Sequence, residues 1–244
     1  MSLLETYHPL PLTIAVLLFV ISVSTLGITS HTIWLLAQYF PAGAWYIWRE
    51  QSDVYEEQQT RQQWIAVDYN DTTDRLALVR AVLGAAAGLL GICVSRVRRR
   101  SVVEDEIKTS RSCFQSRASY IIAVIFAIAS FTSTLTSAIW STILHHQSSE
   151  RCRVPTFLSE YNNKYTCTRE LAACVMLPVI TKRDDSVRKQ ACDETKTVRW
   201  LLVPMLILGL GLVVGYAVQI WFARRRTAWE RRVEGRVYVL EKAE

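Results

Sequence analysis

Four unbroken apolar stretches constrain this chain more than any other feature. They are "PLTIAVLLFVISVSTLGITSHTIWLLAQYF" from Pro11, the run from Leu76 to Ser95, "SYIIAVIFAIASFTSTLTSAIWSTIL" from Ser119 and "WLLVPMLILGLGLVVGYAVQIWFA" from Trp200. Apart from Arg80, none contains Lys, Arg, Asp or Glu. Crossing hydrocarbon takes roughly 20 helical residues, and a helix satisfies its own backbone where no water can. The expected fold is all-α: a membrane-embedded four-helix bundle with spans near 12–39, 76–95, 119–144 and 200–223. A cleaved signal peptide is the competing reading of the first stretch. Its apolar core is too long for one and no Lys or Arg precedes it, so it reads as an uncleaved helix.

Charge gives the orientation. Seven Lys or Arg fall in 96–117 and seven in the tail 224–244, whereas the first loop sets Arg49, Arg61 and Arg75 against seven acids. Positive residues near helix ends stay cytoplasmic, so both termini are expected inside, in a multi-pass protein of the secretory pathway or plasma membrane. The arginines also suit anionic lipid headgroups. Neither basic segment has a folded module around it, so nucleic acid is not an expected partner.

The third loop, 145–199, carries ten Lys or Arg, but long loops weigh less in this rule. It also holds Cys152, Cys167, Cys174 and Cys192, an even count that reads as two disulfides outside the cell's reducing compartment. Three connectivities are open. Leu171–Ile180 is too short to span and reads as the core of a small outer lobe or as a cap on the bundle. Asn70-Asp71-Thr72 is a candidate glycosylation sequon just before helix two. In the tail, Trp229, Val233 and Val237 recur at i, i+4, i+8 among arginines, the pattern of a membrane-surface helix.

Lipid gives helices no hydrophobic drive to associate, so contact relies on small residues. Helix two carries Ala77, Ala81, Gly84, Gly88, Gly91 and Ser95, spaced 4, 3, 4, 3, 4. Helix four aligns Pro204, Gly211, Gly215 and Gln219. Helix three aligns Ser130, Ser133, Ser137 and Ser141, and helix one Ser24, Gly27, His31 and Gln38. These faces are expected to pack within the bundle or against other membrane proteins, a second copy included. Ionisable groups in a membrane point to function by default, so His31, Arg80, Ser137, Ser141 and His145 form a candidate outward-facing polar pocket. The bland alternative is an Arg80 that snorkels to the headgroups.

Catalysis finds little support. The sequence has no Cys-x-x-Cys pair, no Gly-rich phosphate loop and no two histidines at i, i+4, so neither cofactor nor metal is expected.

Two long outer loops, with cysteines between helices three and four, resemble the tetraspan layout. The tetraspanin Cys-Cys-Gly motif is absent. The Gly-Leu-Trp motif and first-loop cysteines of claudin-like and SUR7-type proteins are absent too, "AGAWYIW" standing in that place. The helix-one run "STLGITSHTIWLLAQY" is similar to MARVEL-type proteins, and that similarity implies membrane organisation or trafficking. The expected function is a non-enzymatic organiser or partner-binding subunit. A channel or transporter subunit with a polar path near Arg80 and His31, and a membrane enzyme with an outward-facing pocket, are the alternatives.

Overall fold

The computed structural model describes residues 10–49, 62–104, 111–152, 164–180 and 184–241. In chain order these form α1 (Leu10–Tyr39), β1 (Trp45–Arg49), β2 (Gln62–Tyr69), α2 (Thr72–Glu104), α3 (Arg111–Arg151) and β3 (Lys164–Cys167). A broken helical run follows: α4 (Arg169–Leu171), a π-helical turn (Ala172–Met176) and α5 (Leu177–Ile180). Then come α6 (Asp185–Trp200) and α7 (Leu202–Glu241). Four segments are long and apolar enough to cross a membrane: Pro11–Tyr39, Thr72–Arg96, Ala118–Ser149 and Asp185–Arg225.

The helices run alternately up and down. α1 and α3 each pack against both α2 and α7, which closes a four-membered ring. The strands and disulfides gather at one end, and the arginines of 96–100 and 224–226 lie at the other.

The bundle is built inside out for water. Val16, Val20, Val79, Val82, Ile121, Ile125, Ile139, Ile207 and Val214 face outward and are exposed. Inside are alanines together with Ser22, Thr25, Thr29, Ser130, Thr134 and Ser137. Apolar surface of that extent requires an apolar surrounding. The buried threonine hydroxyls bond back to their own helix, where they need no water. Thr25 Oγ1 donates to the Ile21 carbonyl at 2.8 Å, Thr29 to Thr25 at 2.8 Å and Thr134 to Ser130 at 2.7 Å. The protein is therefore a multi-helix membrane protein by its packing as well as by its composition.

The small residues of α2 set the distance to α1. A Cβ on Gly88 would stand 2.8 Å from the Ala15 carbonyl oxygen and from the Phe19 nitrogen, both backbone atoms. A Cβ on Gly91 would stand 2.8 Å from the Ala15 Cβ, and one on Gly84 would overlap Ser22 Oγ. Ala77 and Ala81 are buried on the same stripe. The helix-four stripe is corrected. Gly215 has nothing within 4 Å of a built Cβ, and Gly211 meets only Ile14 at 3.5 Å. α7 packs instead through Leu202, Met205, Leu212 and Tyr216, the last three of which reach the room left by Gly84 and Gly91 of α2. The helix-one stripe is corrected likewise. Ser24, His31 and Gln38 are exposed, and the buried face is Ala15, Leu18, Ser22, Thr25, Thr29, Thr32 and Leu36.

The two loops at the disulfide end fold together into one lobe. β1 and β2 pair antiparallel, with Trp45 opposite Ala66 and Ile47 opposite Trp64; β2 and β3 pair parallel, with Asp68 opposite Thr166. The sequence reading lacked this sheet, a minor part of a chain that is otherwise helical. Alternation sorts its two faces. Tyr46, Ile65, Val67, Tyr69, Tyr165 and Cys167 pack inward with Leu171, Met176 and Ile180. Trp45 and Trp64 stand on the other face at 58% and 55% exposure, with Lys164 pairing Asp68 at 2.9 Å beside them and the small Ala66 buried. Gly43, at φ +74°, makes the turn that lets its N–H reach the Val67 carbonyl at 2.9 Å.

The four loop cysteines pair as Cys152–Cys167 and Cys174–Cys192, with Cα separations of 5.6 and 5.0 Å. The first ties the end of α3 to β3, and the second ties the π-helical turn to α6. Leu171–Ile180 is the wedge between them: Met176 packs under the sheet, and Ala173 and Leu177 cap Leu36 and Phe40 of the first helix end.

Several boundaries differ from expectation. α2 starts at Thr72 rather than Leu76, and α3 runs on to Arg151. Residues 185–199, assigned to the third loop, form all but the last residue of α6, a polar helix leading straight into α7. The interruption at Leu201 precedes Pro204, which cannot donate to the Trp200 carbonyl four residues back. The tail backbone continues α7 to Glu241 and is no separate surface helix. The arginine side chains beyond Arg96 and Arg225 lie outside the described residues, so the lipid-headgroup reading finds no geometry there.

Candidate functional site

A cavity of about 80 Å³ lies where the lobe meets the bundle. Helical spacing builds its walls. α2 supplies Thr73, Asp74, Ala77 and Arg80; α3 supplies Ser137, Ser141 and His145; α1 supplies Thr29 and Thr32. The lobe closes it with Thr168 and Glu170, and the junction of α6 with α7 adds Thr195, Val198, Arg199 and Leu202.

Arg80 dominates the site. Its exposure is 2%, so it does not snorkel to a surface. Nη1 donates to Ser137 Oγ at 3.1 Å and Nη2 to the Val198 carbonyl at 3.2 Å. Val198 is in the last turn of α6, where carbonyls begin to lose their helical partners. Nε is buried and has no hydrogen-bond partner among the described residues.

The acids of the site are engaged elsewhere. Arg169 Nη1 lies 3.2 Å from Asp74 Oδ2, near enough for an ion pair but not aligned for a hydrogen bond. Arg169 also donates to Asp71 at 2.9 Å and stacks 5.6 Å over the Tyr69 ring. Glu170 receives Arg199 at 3.2 Å. His145 Nδ1 is buried with no partner among the described residues.

Four of the five pocket residues named from sequence, Arg80, Ser137, Ser141 and His145, thus surround one cavity. His31 does not, and this is a correction. It is half-exposed, stacks on Trp34 and lies 2.9 Å from Glu194 Oε1. Glu194 also accepts from Thr32 at 2.8 Å and Gln190 at 3.0 Å. His31 therefore helps latch α6 onto α1 from the lipid side. Its helix face points outward because the inward face is the Ser22–Thr25–Thr29–Thr32 row.

Thr29, Thr32, Asp74, Glu170 and Arg199 were missed. The threonines recur at helical spacing, which was a readable signal. The acid–arginine pairs had a weaker one: an acidic first loop and a third loop rich in Lys and Arg are complementary partners. Asn70 has structural work. Its Oδ1 accepts from the Thr72 N–H at 3.1 Å at the start of α2, and its own N–H donates to Cys167 at 2.8 Å. Among the described residues no group of three or more His, Cys, Asp or Glu could hold a metal.

Compared with known protein families, with curated proteins and with solved structures, the chain matches none of them.

Proposed function

We propose that this protein is a non-enzymatic membrane organiser, whose disulfide-braced lobe stands on the exocytoplasmic side and binds a partner protein. One observation carries the reading. Two loops far apart in sequence share one sheet, one disulfide ties that sheet to the end of α3 and a second ties the π-helical turn beneath it to α6, and the sheet's outer face presents Trp45 and Trp64. Exposed tryptophans on a rigid support lose little entropy on contact and are frequent centres of binding energy. The MARVEL-like run in helix one supports the same class of role. The charge pattern supports cytoplasmic termini.

The test is cross-linking on intact membranes followed by purification in mild detergent, comparing the wild type with Trp64→Ala. A discrete protein captured by the wild type and reduced roughly tenfold or more in the folded variant supports the reading. Identical capture by both contradicts it.

The Arg80 cavity favours a transport subunit as the second reading. Past the cavity, however, Thr25, Met205, Leu18, Leu212 and Tyr216 fill the bundle axis. Solute flux in reconstituted vesicles that Arg80→Ala abolishes, with the lobe's partner contact intact, would move the assignment to transport.

A further inference from the structure

We infer that the cavity beneath the lobe is a binding site for one small monovalent anion of halide size, held by Arg80. The argument starts from charge. A guanidinium at 2% exposure, among helices that face lipid, is costly without a counter-charge. Its two bonds go to neutral oxygens, the Ser137 hydroxyl and the Val198 carbonyl. The cavity's carboxylates already pair with other arginines, Asp74 with Arg169 and Glu170 with Arg199. Among the described residues, Arg80 is the lining cation with no carboxylate at ion-pair distance.

The hydrogen-bonding groups agree. An anion needs donors, and three groups here hold one in reserve. Arg80 Nε–H is unpartnered. The Ser137 oxygen accepts from Arg80, leaving its proton to turn elsewhere. The Thr168 oxygen accepts from the Leu171 N–H at 3.4 Å and keeps its proton in the same way. Size sets the rest. A volume of about 80 Å³ has room for a halide with several waters beside it. One uncompensated positive charge matches one negative charge. The bound ion would join α2, α3 and Thr168 of the lobe, so it would stabilise the lobe–bundle joint whichever partner the lobe recognises.

The experiment uses the full-length protein in detergent, with sodium chloride exchanged for sodium gluconate at constant ionic strength. The expected result is a thermal midpoint that rises with chloride. Above the dissociation constant the unfolding constant should fall about tenfold per tenfold rise in chloride. Bromide should replace chloride, and sulfate should not. Ser137→Ala should keep the response but shift it to about tenfold higher chloride, the loss of one hydrogen bond to a charged group. Arg80→Met should abolish it, while His31→Phe, outside the cavity, keeps it. In case Arg80→Met does not fold, excess ³⁵Cl NMR line broadening by the wild type, removed by bromide, reads binding directly. Equal midpoints in chloride and gluconate, with no bromide-sensitive broadening, would overturn the proposal. So would an equal response to sulfate, which marks a general salt effect, or stabilisation by phosphatidic acid but not by chloride, which marks a lipid phosphate.

Discussion

At the scale of single residues, the clearest contrasts are between glycines that sound alike in sequence. Gly88 faces backbone at 2.8 Å and Gly215 faces open space. Gly88→Leu should push α1 and α2 apart at a cost of about 1–3 kcal/mol. Gly215→Ala should be neutral or stabilise by about 0.5–1 kcal/mol, because alanine loses less backbone entropy in a helix. Thermal unfolding followed by helicity in detergent separates them, and equal effects would mean that the α2 stripe does not set the interhelical distance. The α2 stripe was readable because its period matches a helix pair. The α7 stripe misled because a row of small residues says nothing about what faces it. Arg80 was readable as an isolated charge in an apolar run. His31 was assigned to the wrong side because its face was judged from Ser24, Gly27 and Gln38 rather than from the competing threonine row. Half-exposed, its link to Glu194 is worth about 0–1 kcal/mol, so His31→Phe should hardly move the unfolding midpoint.

At the scale of elements, the lobe depends on its cross-links and its tyrosines. The disulfides close segments of 15 and 18 residues, and each contributes about 3 kcal/mol by restricting the unfolded chain. Reduction should therefore expose the lobe to protease while the bundle keeps its helicity; joint loss of both would show that lobe and bundle unfold as one unit. Burial raises the phenol pKa of Tyr46, Tyr69 and Tyr165, and Tyr46 raises that of Tyr69 further against the opposing effect of Arg169. A raised folded pKa gives stability that is complete below the unfolded value of about 10 and is lost as pH climbs through the folded value. The lobe should hence become protease-sensitive above about pH 10. Tyr69→Phe, which removes the 2.7 Å bond to the Phe40 carbonyl, should weaken the lobe at neutral pH and reduce that alkaline sensitivity. The spans were legible as elements because hydrocarbon demands long apolar helices. The sheet was not, since its strands are short and β3 follows β2 by almost a hundred residues. Nor was α6 legible, a polar helix masked by the charge and cysteines around it.

At the scale of the whole molecule, the bundle places hydroxyls and alanines inside and branched apolar side chains outside, the packing of a protein dissolved in lipid. Tryptophans mark both ends of the exposed apolar surface: Trp34, Trp140 and Trp200 toward the lobe, and Trp221 under Arg225 at 4.1 Å on the opposite side. Four crossings put the lobe and the tail on opposite faces of the membrane, and the proposed orientation, with the tail in the cytoplasm, rests on its excess of arginine. The measurement that tests this most directly is labelling of intact cells with a membrane-impermeant maleimide, in a background where Cys93 and Cys113 are serine. Ser186→Cys on the lobe should label at once, and Trp229→Cys on the tail only after permeabilisation. Labelling of both positions in intact cells, or of the tail alone, would contradict the four-crossing arrangement.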